Sequence, residues 1–476
     1  MLIYLLIKRL IKTNQTFHLL QKIITRQYFI SMHFKMKNIQ VFYSLALLIL
    51  ALPFIGKSQT IRTITLNEAI KLGLEHSQQL KISGAKYTIA TAKREQFWGT
   101  QIPTVSLVSG YSRLSDNVAP FKFQTPGSSE AIILNPQILN QFTNRISAQQ
   151  VVFSGLRAVN FYKSAEFLEK AAALDIDKDR IEIKNNIAAA YYNLYKLEAS
   201  NEILGENLKV LRGRYNDVQN FVKNGTALEN DALKADLAIS QLEMAKKDVE
   251  NAIHVALYNA CILLGLPTDT RLELDKSNIF PEKTLNSLDF YLNSLTSRPD
   301  ISATELRRQA AFKNIEVAKG GVYPVISLNA NYYENRPNQR VFPQQDAFKG
   351  TWDAGILLTY NLTGAYTTKF QVKEAQANLA QTDAFKTQIT EGAKMEVTAN
   401  FYAYQSAIDK IALTLKSITQ STENQRVMKN KFDAQMITIG ELLDSDFLVL
   451  QAKLNLEAAK SDAEIAYYKL LKSVGN

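Results

Sequence analysis

Cysteine is nearly missing: Cys261 is the only one in 476 residues, so no intrachain disulfide can form and none sits near the presequence end to take a lipid. Beside Ile262 and Leu263 on an apolar helical stretch, it is expected to act as a small buried hydrophobe. Histidine is scarce too. His76 and His254, the two beyond the presequence, stand alone on helices, without the clustered ligands a metal site needs. With neither a Gly-rich phosphate loop nor a Cys or His pair at metal spacing, no catalytic residue, cofactor or metal is expected, and the chain reads as a non-enzyme. Acid is absent from residues 1–59, which hold eight bases (Lys8, Arg9, Lys12, Lys22, Arg26, Lys35, Lys37, Lys57). Of the net +10 those eight charges leave only +2 for the remainder. So balanced a chain exerts no general pull on phosphates, and nucleic acid is not an expected partner. Proline is absent from 137–266 and 344–476. Because proline inside a helix removes a hydrogen bond and clashes with the preceding turn, both spans are free to hold uninterrupted helices.

A long hydrophobic run is also lacking. Val41 to Leu52 is twelve residues, preceded by Lys35 and Lys37 and followed by Pro53, Gly56 and Ser58. That is the order of a secretory signal peptide, and it is short for a bilayer span. Residues 1–35 do not fit inside such a peptide, so translation is expected to begin at Met36 or Met32. The expected organisation is an upstream extension (1–35), a signal peptide (36–59), a first repeat (60–266), a linker (267–284) and a second repeat (285–476).

What is present is periodicity. Ile183, Ile187, Ala190, Leu194, Leu197, Leu204, Leu208, Leu211, Tyr215, Val218 and Val222 follow steps of three and four, with Asn201 the one break. Such a seam supercoils against a neighbour. A helix from about Leu156 to Asn224 would be roughly 100 Å long, the dimension of a rod or duct. The pattern returns at Val397, Phe401, Tyr404, Ile408, Ile411, Leu415 and Ile418. The halves also echo each other. Ile102-Pro103-Thr104-Val105-Ser106-Leu107 returns at Tyr323-Pro324-Val325-Ile326-Ser327-Leu328, offset by 221. Phe153-Ser154-Gly155 returns at Leu362-Thr363-Gly364, offset by 209, and Leu264-Gly265 at Val474-Gly475, offset by 210. The twelve residues lost between the first two offsets mark an insertion around Pro120–Pro136, read as a long loop.

Each half thus reads helix, strand, loop, strand, long helix, turn, helix. The first helix is expected over about Leu66 to Gly99, opened by a Thr65/Glu68 capping box. Strands are expected near 102–112, 144–154, 323–334 and 351–362. The last sets Trp352, Ala354, Ile356, Leu358, Tyr360 and Leu362 opposite Asp353, Gly355, Thr359 and Asn361. Ten-residue strands, apolar on one face and polar on the other, fit the wall of a transmembrane β-barrel, although the period alone also fits half a soluble sandwich. Four strands cannot close a barrel, and a bilayer tolerates no open sheet edge, so the chain must oligomerise.

The duplication, the Leu66-Asn67-Glu68-Ala69-Ile70 opening, the helix-Pro-strand junctions at Pro103 and Pro324 and the Phe153-Ser154-Gly155 strand exit together resemble the TolC-like outer-membrane efflux family over residues 61–476. The resemblance implies a mixed fold: a homotrimer with a twelve-stranded β-barrel in outer-membrane lipid, above a coiled-coil α-helical barrel in the periplasm. It also implies a periplasmic adaptor protein and an inner-membrane pump of RND, ABC or MFS type as partners. Glu441 and Asp444, three apart and so on one helix face, fall where the family's periplasmic aperture carries paired acids. Carboxylate rings favour cations. Asp231 resembles the acid that helps constrain that aperture, but its basic counterpart is replaced by Ile437. The tips that meet the adaptor correspond to Asn224, Gly225, Thr226 and to Ala434, Gln435, Met436, where Gln435 stands in place of a glycine. The function expected is an exit duct that exports small molecules. A protein-secretion duct, or a periplasmic coiled-coil scaffold without a pore, are the alternatives.

Overall fold

A computed structural model describes residues 61–99, 101–117, 120–135, 137–277, 279–281 and 283–476. The expected extension and signal peptide lie outside the described residues. Apart from Ile61, the elements below lie in the compact unit Arg62–Asn476.

In order these are β1 (Ile61–Ile64), α1 (Leu66–His76), α2 (Gln78–Gly99), β2 (Thr104–Arg113), β3 (Phe121–Phe123), β4 (Ile132–Asn135), β5 (Asn140–Phe153), α3 (Arg157–Lys223), α4 (Glu229–Leu264), β6 (Arg271–Leu274), α5 (Leu288–Asn293), α6 (Pro299–Lys319), β7 (Val325–Asn335), β8 (Lys349–Thr359), α7 (Leu362–Asp433) and α8 (Ile439–Val474). The proline-free spans hold the four long helices. α3 has 67 residues and α7 has 72, roughly 100 Å each at the α-helical rise.

Four local departures from the sequence reading have physical causes. The expected first helix is broken at Ser77, whose ψ of 120° leaves the helical region. Its hydroxyl accepts from the Leu80 N–H at 3.3 Å and so starts α2 as an N-cap. The capping box of α1 is only half made. Thr65 accepts from the Glu68 N–H, but the Glu68 carboxylate turns to Arg62 at 2.8 Å, a charge-assisted partner. The fourth strand ends at Thr359, before Tyr360 and Leu362, because Asn361 accepts from the Gly364 N–H at 2.8 Å and caps α7. The two strand exits equated by sequence therefore differ: after β5 the chain turns through left-handed Gly155 and Leu156, with φ of 65° and 61°. Finally, the insertion after β2 is a small hairpin, β3 against β4.

The main sheet has the order β2-β5-β7-β8, antiparallel throughout, and leaves β2 and β8 as edges. Register places apolar side chains together on one face: Leu107 opposite Ile146, Ile146 opposite Tyr332, Tyr332 opposite Trp352 and Leu328 opposite Ile356. Those residues point into open space; Trp352 is 75% and Ile356 73% exposed. The other face carries Ser106, Ser147, Gln149, Asn329, Asn331 and Asp353.

The helices are packed mainly through their seams. Ile187, Leu194, Leu204, Leu208 and Val218 of α3 are buried, whereas α7 buries Val397 and Tyr404 but exposes Ile408 and Leu415. Asn201, the break in the first seam, leaves its side-chain carbonyl without a partner among the described residues. Between the helices and the paired strands β1 and β6 lies a core holding Ile64, Tyr191, Tyr192, Leu264 and the fully buried Cys261. Burial pushes the Cys261 thiol pKa up. From the linker, Lys283 reaches Glu464 of α8 and lies 4.1 Å from the centre of the Tyr467 ring, while burial pulls its pKa down against the pull of Glu464.

Candidate functional site at the hairpin tips

Two helical hairpins, α3–α4 and α7–α8, end side by side. Their tips share a core of Val218, Ala232, Phe432, Ile439 and Leu442. The rings of Phe221 and Phe432 meet edge to face at 5.7 Å.

Both turns are built alike. Asn224, Gly225 and Thr226 donate to the carbonyls of Asn220, Val222 and Phe221 at 3.1, 3.0 and 2.9 Å. Ala434, Gln435 and Met436 donate to Asn430, Phe432 and Lys431 at 3.1, 2.8 and 2.8 Å. This arrangement satisfies the last carbonyls of a helix and requires a left-handed residue in the middle. Gly225 supplies it at φ 72°, and a Cβ there would meet nothing within 4 Å, so conformation alone calls for glycine. Gln435 adopts the same region at φ 58° without that freedom. All six tip residues are exposed.

The following helices begin with acids in the same place. Asp231 accepts from the Leu228 N–H at 3.4 Å and lies 3.5 Å from Lys234. Glu441 accepts from the Thr438 N–H at 2.9 Å and from its hydroxyl at 3.3 Å. These positions differ by 210, the offset of the later landmarks, so Asp231 and Glu441 are counterparts, each closing the free N–H groups of a helix start. Asp231 makes its ion pair within its own helix, and Ile437, where a basic partner was sought, lies against the apolar tip core. Asp444 is exposed one turn beyond Glu441.

Sequence reading missed the group that joins the hairpins. Asp446, 3% exposed, accepts from Arg214 Nε of α3 at 3.3 Å and from Gln425 Nε2 of α7 at 2.6 Å. Three long helices thus meet at one buried carboxylate, about 10 Å along α8 from its start at a rise of about 1.5 Å per residue. One signal was available: Asp446 interrupts the buried set Leu442, Ser445, Val449 and Leu450. Its partners, 232 and 21 residues away, could not be read from spacing. Asp236, 210 residues earlier, is exposed. Above this pair an open cleft of about 310 Å³ runs between α3, α4 and α8, lined by Leu204, Leu211, Leu242, Phe447 and Leu450 among others.

Comparison with known proteins completes the picture. Residues 291–476 match the family model "Outer membrane efflux protein". The "Toxin and drug export protein A" of Aggregatibacter actinomycetemcomitans is 20% identical over 425 residues, covering 86% of this chain and 87% of that protein. The outer membrane protein VceC of Vibrio cholerae superposes with a TM-score of 0.71 at 19% identity, over 86% of this chain and 96% of its own. The CmeC outer membrane channel of Campylobacter jejuni does so with a TM-score of 0.70 at 16% identity, over 86% and 85%.

Proposed function

We infer that the chain belongs to the outer membrane efflux protein family, whose model its residues 291–476 match, and that, like the structurally similar CmeC outer membrane channel, it is a channel rather than an enzyme. It is an outer-membrane protein with its helical hairpins in the periplasm. The finer reading is a homotrimer whose three four-stranded sheets close one twelve-stranded barrel. Its two halves are structural repeats, and their hairpins assemble into a helical duct. It would serve as the passive exit of a tripartite export system, joined to a periplasmic adaptor at the tips 224–226 and 434–436 and driven by an inner-membrane pump. Small molecules are the cargo. The relative's name also covers a toxin, which keeps a secreted protein as the second cargo class.

One observation carries this reading: the sheet has two unpaired edges, β2 and β8, and an exposed apolar face. Unpaired backbone groups in hydrocarbon cost several kcal/mol each, so such a sheet enters a membrane only when copies pair its edges. The exposed Ile408 and Leu415 on the α7 seam ask for the same neighbour. A periplasmic scaffold would have no use for that apolar sheet face.

In the closed trimer Glu441 and Asp444 form acidic rings at the periplasmic mouth, with Asp231 its structural counterpart on the other hairpin. The deciding experiment is planar-bilayer recording of the purified mature protein with its native mass. Small, cation-selective openings from a trimer support the duct. A soluble monomer that washes from membranes in alkali would sink it.

A further inference from the structure

The polar face of the sheet is not evenly charged. Along its four strands the registers set Val108 opposite Arg145, Arg145 opposite Tyr333 and Tyr333 opposite Thr351. In the next row on that face Ser147 opposes Asn331, which opposes Asp353. Among the described strand residues of this face Asp353 is the one carboxylate, and it is already engaged. It accepts from Asn331 Nδ2 at 2.7 Å and pairs with Arg340 at 2.5 Å. Arg340 reaches in from the β7–β8 loop and lies 4.3 Å from the centre of the Tyr333 ring. Arg145, exposed on the other side of Tyr333, has no carboxylate at salt-bridge distance among the described residues.

We propose that Arg145 is a selectivity residue of the open duct, forming with its symmetry copies a basic belt in the barrel bore that favours anionic solutes. The proposal rests on the trimeric barrel reading, in which the apolar face meets lipid and the polar face turns inward. Eight residues separate Arg145 from Phe153 at the helical end of β5, about 26 Å at the rise of a strand, so the belt stands near the outer mouth, far from the acidic tips. The two ends also differ mechanically. The tips are helix ends joined by short turns, whereas Arg145 lies on a strand paired on both sides, with Val108 of β2 and Tyr333 of β7. A wall of low dielectric concentrates the field of like charges in a bore, and a rigid wall keeps that field when the tips part. The aperture then governs the resting duct, and the belt governs what the open duct prefers.

The test is the reversal potential of single channels in a potassium chloride gradient, with Glu441→Gln and Asp444→Asn present to remove the aperture charge. Arg145→Glu is expected to lower the chloride-to-potassium permeability ratio at least about threefold, and Arg145→Gln by an intermediate factor, with Arg145→Lys close to the parent. A ratio unchanged by both Gln and Glu overturns the belt while leaving the channel intact. Lys behaving like Gln also overturns it, since shape rather than charge would then be at work. A parent protein that never conducts removes the channel reading itself, and the belt with it.

Discussion

The two hairpin tips share a backbone and differ in what they invest in it. At the first, Gly225 takes the left-handed turn without strain and Asp236 faces solvent. At the second, Gln435 holds the same turn, and the counterpart acid, Asp446, is buried against Arg214 and Gln425. The first tip is locally relaxed; the second holds a less favourable turn and is tied to both hairpins by a buried charge. The lesson is that equivalent helices in one chain need not be equivalent in attachment. A buried ion pair is poor at adding stability, but its removal by halves is severe, because the remaining charge is left unsolvated. The tie at Asp446 therefore fixes which arrangement of the hairpins is allowed more than how stable it is.

The largest effect should come from that tie. Asp446→Ala strands Arg214 and is expected to destabilise the tip by about 3 kcal/mol, read as faster hydrogen exchange in α8 and the end of α3, whereas Asp236→Ala should change exchange by less than about 0.5 kcal/mol. Equal effects would erase the distinction between the hairpins. Alkali separates both tips from the middle of the molecule. There burial first, then Asp275 and Glu198, push the Tyr191 hydroxyl pKa from about 10 to about 12. The folded state holds this proton more tightly than the unfolded one, so the contribution is complete below pH 10 and is lost as pH rises toward 12. Near-ultraviolet circular dichroism should show the core loosening in that window, and Tyr191→Phe should remove part of the dependence.

The turns give a smaller contrast. Gly225→Ala is expected to cost about 1 kcal/mol and Gln435→Gly to gain about 0.5 kcal/mol, since only glycine occupies the left-handed region freely; exchange of the tip amides would measure both. Smallest is the division between the two acids proposed for the aperture. Glu441→Ala removes a helix cap and should cost about 0.5–1 kcal/mol, while Asp444→Ala, exposed and free of any recorded partner among the described residues, should leave stability unchanged. Both should lower cation selectivity in bilayer recordings; an effect from Glu441 alone would remove Asp444 from the aperture.

Features that depend on local order were legible in the sequence. The seam from Ile183 to Val222 and the absence of proline around it specify α3, and strand alternation specifies both faces of the sheet. That Gln435 stands where the other turn has Gly225 was visible in the sequence; that it takes the same left-handed conformation at φ 58° came only with the structure. Misreadings arose where a short polar side chain caps a new helix in place of an expected continuation, of a helix at Ser77 and of a strand at Asn361. Ser77 and Asn361 each did so through one hydrogen bond. The Arg214–Asp446 pair lay beyond sequence reading for another reason: a charge beside a seam normally faces water, and only the packing of α3 against α8 turns this one inward.

The free edges of β2 and β8 also have a consequence in time. A solitary copy carries two templates for strand addition and an uncovered greasy wall, the features that seed aggregates. On the proposed trimeric assembly, the interval before copies pair is then the hazardous part of this protein's life. Changes that merely delay partner pairing should appear first as lost material in the periplasm, with the surviving channels conducting normally.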